Sequence, residues 1–418
     1  MTPQRNVYVI GGACTPFLGK FHPDFVWKGH PDFGLRENPT IEEHLHAATR
    51  GALEATGVPA EAIDRGVVGN FTGECFVNQG HLGAMLAGAD PGLNGTPAAR
   101  VEGACASGGL AVAWGVDSIQ AGRDLVLVAG VEVQTTVSAK VGADFLARAA
   151  HYATQRGIDP FTFPALFARR TKAYFEAHGI GHEDLAHVVV KAYGNANRND
   201  KAHMRERQVS FEWAAEPSDQ NPLFLSNAEL QPYLKLSDCS QVSDGASALI
   251  LASEAGLERL GRAAADEVRL LSYGHATGAL GDPDDLTRLD ITELAAAEAY
   301  VDAGASAAGI GVAEVHDCFS VTELLMTEAL GFAGHGEGAR LAADGATALD
   351  GRIPVNTGGG LLAFGHPVGA TGVKQVLEVQ RQMKGLCGDY QIETPPTLGL
   401  TANMGGDDRT AVVTILGS

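Results

Sequence analysis

ALEATGVPAEAIDRGVVGN (Ala52–Asn70) and AYVDAGASAAGIGVAEVHD (Ala299–Asp317) follow one grammar. Each runs from a helix end through an Ala/Gly-rich turn into a strand of similar register. The same pattern returning so far along one chain predicts two α/β halves related by duplication. Few residues are identical between the two stretches, so the argument rests on pattern alone.

Around the first stretch, Val7 to Ile10 reads as a buried strand followed by a Gly11-Gly12 turn. The spacing of Leu45, Ala48 and Leu53 predicts a helix over Thr40–Thr56, capped by Thr40 with Glu43 three residues on and ending before Gly57. Strands are predicted over Asp64–Gly69, Ala99–Glu102 and Leu125–Val133, with a helix over Ser107–Ala121. The unbroken apolar run Leu125–Ala129 fits a parallel strand covered on both faces. Around the second stretch, helices are predicted over Val321–Leu330 and Gly372–Lys384, then strands over Thr397–Asn403 and Thr410–Leu416.

Between the halves, roughly residues 135–235, aromatics gather (Phe161, Phe163, Phe167, Tyr174, Phe175) with Arg169, Arg170, Lys172 and Lys191, partly on a predicted helix over Pro164–His178. This is too long for an ordinary loop. It reads as a lid or substrate subdomain, or equally as a structural cap. The expected division is residues 1–134 plus 236–262, an insertion over 135–235, and a second half over 263–418.

Composition narrows the function class. The 418 residues are 45% hydrophobic and 19% charged, with 53 glycines, which suits an α/β protein with a large core and many tight turns. A formal charge of −20 argues against nucleic-acid binding, which needs clustered Lys and Arg. An anionic small molecule remains compatible with a locally basic pocket. The six cysteines show no CxxC pair, so neither a disulfide framework nor a metal site is indicated. The N-terminus enters a strand-like run with no basic leader, and no apolar stretch has membrane-span length. A cytoplasmic protein is the expectation.

Four segments carry chemistry. GACASGG (Gly103–Gly109) turns a strand into a helix, placing Cys105 where free N–H groups and the helix dipole favour a thiolate. A free cysteine is more often a small buried hydrophobe, and the glycine-rich turn shifts the balance towards a nucleophile. In EVHDCFS (Glu314–Ser320), His316 and Cys318 are spaced to project from one side of an extended chain, as a proton-transfer pair or as core residues. In NTGGGLLAFGHPVGATG (Asn356–Gly372), His366 stands between glycines with Pro367 behind it, suited to activating a thiol or polarising a carbonyl. Its glycines lack GxGxxG spacing and a following acidic residue, so dinucleotide binding fails. NMGGDDRT (Asn403–Thr410) reads as a hairpin turn whose Gly405 or Gly406 backbone N–H would serve as an oxyanion donor.

In this order, and with LSDCSQVSDGASALI (Leu236–Ile250) and VVVKAYGNANRN (Val188–Asn199) between them, these segments resemble the thiolase superfamily along nearly the whole chain. The His316-Asp317-Cys318-Phe319 form is similar to sterol-carrier-protein-type thiolases. The resemblance implies a duplicated fold of two βαβαβαββ halves in five αβαβα layers, with an inserted loop domain. It implies that Cys105 is acylated, that His366 deprotonates it and helps bind a thioester oxygen, and that His316 serves as an oxyanion donor. Backbone N–H groups of Cys105 and Gly405 would hold a second oxyanion. No bound cofactor or metal is implied; a coenzyme A thioester is the substrate, and the assembly is a homodimer or homotetramer. Common thiolases carry Cys-x-Gly in the last loop, where this chain reads Ala402-Asn403-Met404-Gly405, and Cys318 is the candidate replacement acid/base. Two other readings stay open: acyl transfer to a non-CoA acceptor or retro-aldol cleavage with a small OB-fold partner, and a non-catalytic acyl-CoA-binding subunit.

Overall fold

The repeated stretches fold alike in a computed structural model that describes residues 5–418. The first half contributes β1 (Val7–Cys14), β2 (Arg65–Gly69), β3 (Ala98–Val101), β4 (Leu125–Glu132) and β5 (Gly245–Ala252). The second contributes β6 (Val268–Thr277), β7 (Val312–Val315), β8 (Leu398–Gly405) and β9 (Thr410–Gly417). Their order across the sheet is β3-β2-β4-β5-β1-β6-β9-β8-β7. Outward from the middle, β1-β5-β4-β2-β3 on one side is matched by β6-β9-β8-β7 on the other, and Val355 bridges in parallel to Ala313 where the fifth strand would lie. Among the described residues a short antiparallel seam (Val7↔Leu270, Tyr8↔Arg269, Val9↔Val268) joins the two half-sheets.

The helices that bear on the site are α1 (Ile41–Thr56), α2 (Ser107–Gln120), α3 (Ala139–Leu146), α4 (Thr162–His178), α5 (His182–Ala196), α6 (Asp290–Ala303), α7 (Ser320–Ala329) and α8 (Thr371–Met383). α1 and α6 occupy corresponding places and stop at Gly57 (φ 67°) and Gly304 (φ 63°), the left-handed conformation that glycine adopts without steric penalty. A 3₁₀ turn then leads each chain into its strand, over Ala60–Ala62 and Ala307–Gly309. The predicted capping box of α1 is present: the Glu43 N–H donates to the Thr40 hydroxyl and the Glu43 carboxylate accepts from the Thr40 N–H. The start of α6 is capped from a distance instead, by Asp408, which accepts from the Ile291 and Thr292 N–H groups at 2.9 and 3.1 Å.

α1 covers the outer face of the first half-sheet and α6 that of the second, while α2 and α8 pack together between them. That gives the five layers. Residues of β4 alternate accordingly: Leu125, Leu127 and Ala129 pack beneath α1, and Val126 and Val128 face the central helices. Parallel to β2 but antiparallel to β5, the strand has no polar side chain before Glu132 because both its faces are covered. β5, β6 and α5 are not among the predicted elements. β5 opens Gly245-Ala246-Ser247-Ala248, residues of weak strand propensity, and its place follows from pairing with β1 and β4.

One connection differs between the halves. From β8 to β9 the chain turns through residues 406–409; from β4 to β5 it runs through residues 133–244 and carries α3, α4 and α5. Among the described residues, no helix is long and apolar enough to cross a membrane.

Candidate active site

The turn before α2 sets Cys105. Ala104 has φ 52°, a left-handed conformation that costs an alanine on the order of 1 kcal/mol and persists only where neighbours over-determine it. Here they do. The Ala104 N–H donates to the Glu102 carboxylate (2.6 Å), the Ser107 hydroxyl donates to the Ala104 carbonyl (2.6 Å), and the Gly103 N–H donates to that hydroxyl (3.1 Å). Cys105 is thereby left half-buried at the start of α2, on the floor of a cavity of about 400 Å³.

His366 is held at three points. Its N–H donates to the Ser243 hydroxyl (2.8 Å), its carbonyl accepts from Gln134 Nε2 (2.9 Å), and its Nδ1 meets Thr371 Oγ1 (2.8 Å). The Thr371 hydroxyl gives its one proton to the Pro367 carbonyl (3.1 Å). It therefore accepts from Nδ1–H, and His366 Nε2 keeps its lone pair. His316, just past the end of β7, stands edge-on to it with ring centroids 5.0 Å apart. The Cys105 sulfur and one nitrogen from each ring lie within 4.8 Å of one another. Among the described residues this is the one group of three or more such side chains spaced to admit a metal ion.

Cys318 is outside that trio but lines the same cavity, its sulfur 3.9 Å from Thr322 Oγ1. In the last loop it is Gly406 that lines the cavity. Gly405 is packed beneath the turn, where a Cβ would fall 2.1 Å from the Gly103 carbonyl.

Electrostatics keep the resting site neutral. Burial pushes Cys105 up to about 12, with the Gly406 N–H opposing and Glu132 adding. Burial takes His366 down to about 3 and His316 well below its usual range, His366 contributing to the latter. Burial likewise raises the Cys318 thiol. Around pH 7 the site therefore holds thiols and uncharged imidazoles rather than an ion pair.

Several supporting residues escaped the sequence reading. Glu132, fully buried at the end of β4, accepts from the N–H groups of Phe71, Thr72 and Gly369 and from Asn70 Nδ2, tying the loop after β2 to the loop that carries His366. Burial lifts its carboxyl to about 7 while those donors pull it back. Asp317 accepts from the Leu361 N–H at 2.6 Å and explains the last glycine of the triplet, since a Cβ on Gly360 would lie 2.1 Å from its carboxylate. The landmark Leu236–Ile250 clamps both histidine segments, through Ser240 N–H to the Cys318 carbonyl (2.9 Å) and through Ser243 to His366. The landmark on α5 braces the glycine turn through Asn195 Nδ2 to the Asn356 carbonyl and Asn199 Nδ2 to the Gly358 carbonyl. A carboxylate ending an apolar strand was the available signal for Glu132; nothing local marks Gln134 or Ser243.

Residues 29–255 match the family description "Thiolase, N-terminal domain" and residues 272–418 match "Thiolase C-terminal domain-like". The chain belongs to the thiolase family. It is 37% identical to an acetyl-CoA acetyltransferase of Methanothermobacter thermautotrophicus, over 90% of this chain and 94% of that one. It is 28% identical to human sterol carrier protein 2, over 93% of this thiolase and 68% of that protein, in keeping with its HDCF segment. In fold it is similar to the Ltp2-ChsH2(DUF35) aldolase, with a TM-score of 0.77 at 22% identity, covering 100% of this thiolase and 99% of that chain. This thiolase is an acyltransferase enzyme.

Proposed function

We propose that this thiolase cleaves 3-oxoacyl-CoA thioesters bearing a bulky apolar acyl group, through an acyl-Cys105 intermediate, and catalyses the reverse condensation. The observation that carries this reading is the Cys105 sulfur lying within 4.8 Å of ring nitrogens of both His366 and His316. His366 Nε2 takes the Cys105 proton as the sulfur attacks the C3 carbonyl, and the resulting Nε2–H becomes an oxyanion donor. The C2–C3 bond then breaks, the acyl group stays on Cys105, and the departing thioester enolate takes its proton from the Cys318 thiol. A second CoA thiol attacks the acyl-cysteine and returns a proton to Cys318, while the Cys105 sulfur recovers its proton from His366. The Gly406 N–H supports the sulfur throughout.

The cavity argues for the acyl class. Its walls are mostly apolar, with Phe76, Phe161, Phe163 and a stacked Phe167–Phe319 pair (4.4 Å), and among the described residues Lys20 is its sole lysine or arginine. An acyl chain buried there gains about 0.8 kcal/mol per methylene removed from water. The exposed Ala98 and Ala99 on the open edge strand β3 support pairing with a second copy.

Incubation with a panel of 3-oxoacyl-CoAs, followed by thioester absorbance and intact-protein mass spectrometry, tests the reading. An acyl adduct on Cys105 is expected, with kcat/KM rising from acetoacetyl-CoA to longer or aromatic acyl groups. Turnover without an adduct would sink the covalent route. It would favour the second reading, retro-aldol cleavage with a partner protein, which the fold shared with the Ltp2-ChsH2(DUF35) aldolase keeps in view.

A further inference from the structure

We propose that Asn403 is a positioning residue that fixes His316 in its Nε2–H tautomer, so that this uncharged imidazole presents a proton to the acyl oxygen held over Cys105. The inference rests on the acyl-Cys105 reading for its catalytic consequence, but its structural content does not depend on it.

Two backbone groups settle which way the Asn403 carboxamide faces. Its Oδ1 accepts from the Gly109 N–H at 2.8 Å, and its Nδ2 donates to the Cys105 carbonyl at 3.2 Å. A backbone N–H can only donate and a carbonyl only accept, so turning the amide over would set donor against donor and acceptor against acceptor. The second Nδ2 hydrogen then points at His316 Nδ1, 3.1 Å away. That nitrogen must supply a lone pair, and in an uncharged ring the proton is on Nε2. His316 is fully buried, so charging the ring is no alternative route to a donor.

The fold reserves room for this amide. A Cβ on Gly109 would fall 2.8 Å from Asn403 Oδ1, and one on Gly372 only 2.3 Å from it. Gly109 closes the Cys105 segment and Gly372 closes the His366 segment, so the two glycine-rich signatures converge on one carboxamide. Its effect opposes that of Thr371 on His366. Both histidines receive a hydrogen-bond partner at Nδ1, but Thr371 accepts there and Asn403 donates. One Nε2 is therefore left basic and the other acidic, on either side of the same sulfur.

The direct test is ¹⁵N NMR of the whole protein labelled at histidine, which assigns the protonated nitrogen of each ring. His316 is expected to carry its proton on Nε2 and His366 on Nδ1; a proton on His316 Nδ1 overturns the proposal without any variant. Asn403→Asp keeps an acceptor for Gly109 but has no hydrogen for His316, and should move the His316 proton to Nδ1. If thiolysis proceeds as proposed, kcat falls roughly 10²–10³-fold while KM changes far less, the scale of losing one oxyanion donor. The control is His316→Asn, whose amide donates without tautomers. In that background Asn403→Asp should cost less than about tenfold more. An equal penalty in both backgrounds would assign Asn403 a packing role only. A protein with the expected NMR pattern but no thiolysis would leave the tautomer assignment standing and remove the acyl-transfer reading instead.

Discussion

The same connection is made twice in this molecule, once by residues 406–409 between β8 and β9 and once by residues 133–244 between β4 and β5. The short version brings Gly406 to the cavity that Cys105 also lines. The long version walls the cavity with α3 and α4. On the proposed function, one scaffold gives its tight turn to the chemistry and its long connection to the acyl group. The reacting groups divide likewise: the first half supplies the nucleophile before α2, and the second supplies both imidazoles.

The sharpest way to break this comparison is at the nucleophile itself. Cys105→Ser is expected to lower acyl transfer by about 10⁴-fold or more and to abolish the protein adduct, read by thioester absorbance and mass spectrometry. Next comes the short turn. Gly406 has φ 67°, and a Cβ there would lie 2.7 Å from the Ala149 carbonyl. Gly406→Ala should therefore displace its N–H and reduce kcat some 10–100-fold for every substrate alike, with KM little changed. The long connection should answer differently. Ala143 lines the cavity from α3. Ala143→Phe is expected to cut kcat/KM about tenfold for long or aromatic acyl groups while leaving acetoacetyl-CoA within twofold. Equal losses on both would end this division of labour.

Acidity offers a subtler probe. With burial lifting Cys105 to about 12 and lowering His366 to about 3, no thiolate–imidazolium pair forms between those limits. Alkylation of Cys105 by iodoacetamide should then climb steadily from pH 6 to 9 as the small thiolate fraction grows. A plateau in that window would mean a preformed ion pair. The smallest effects lie at the helix starts. Thr40→Ala removes a local cap from α1 and should cost about 1 kcal/mol in denaturant unfolding with kcat unchanged. Asp408→Ala removes the distant cap of α6 two residues from Gly406, and should lower stability by a similar amount and kcat as well.

The elements written in local pattern were legible. The capping box of α1, the two-sided apolar run of β4 and the turn-to-strand passages at Gly57 and Gly304 emerged within a residue or two, because each depends on neighbours along the chain. Cys105 and His366 stood out by their glycine-rich surroundings and His316 by its spacing from Cys318, and the three side chains meet in one place. Cys318 was found too, though it faces Thr322 as well as the cavity. What stayed hidden depends on contacts distant in sequence. β5 is a strand because β1 and β4 flank it, not because Gly245-Ala246-Ser247 favours one. Gln134 and Ser243 matter because the fold brings His366 to them. Asn403 looked like a deficit, a loop without its cysteine, until its three hydrogen bonds were in view. Gly405 and Gly406 could not be told apart by sequence, because only the hairpin register decides which of them lines the cavity.

The glycines where the halves meet have a consequence for how such a chain can change. A Cβ on Gly130 would fall 2.2 Å from the Gly369 carbonyl, one on Gly108 2.7 Å from the Gly372 nitrogen, and one on Gly369 2.6 Å from the Gly69 carbonyl. Main chain rests on main chain there, so the distance from sulfur to imidazole is set by atoms that every residue shares. Side chains elsewhere can turn over without moving the reacting groups, which suits a fold kept at a TM-score of 0.77 with 22% identity. Diversification is then channelled into residues 133–244, and a designer seeking a new acyl specificity should leave the glycine seam alone and rewrite α3 and α4.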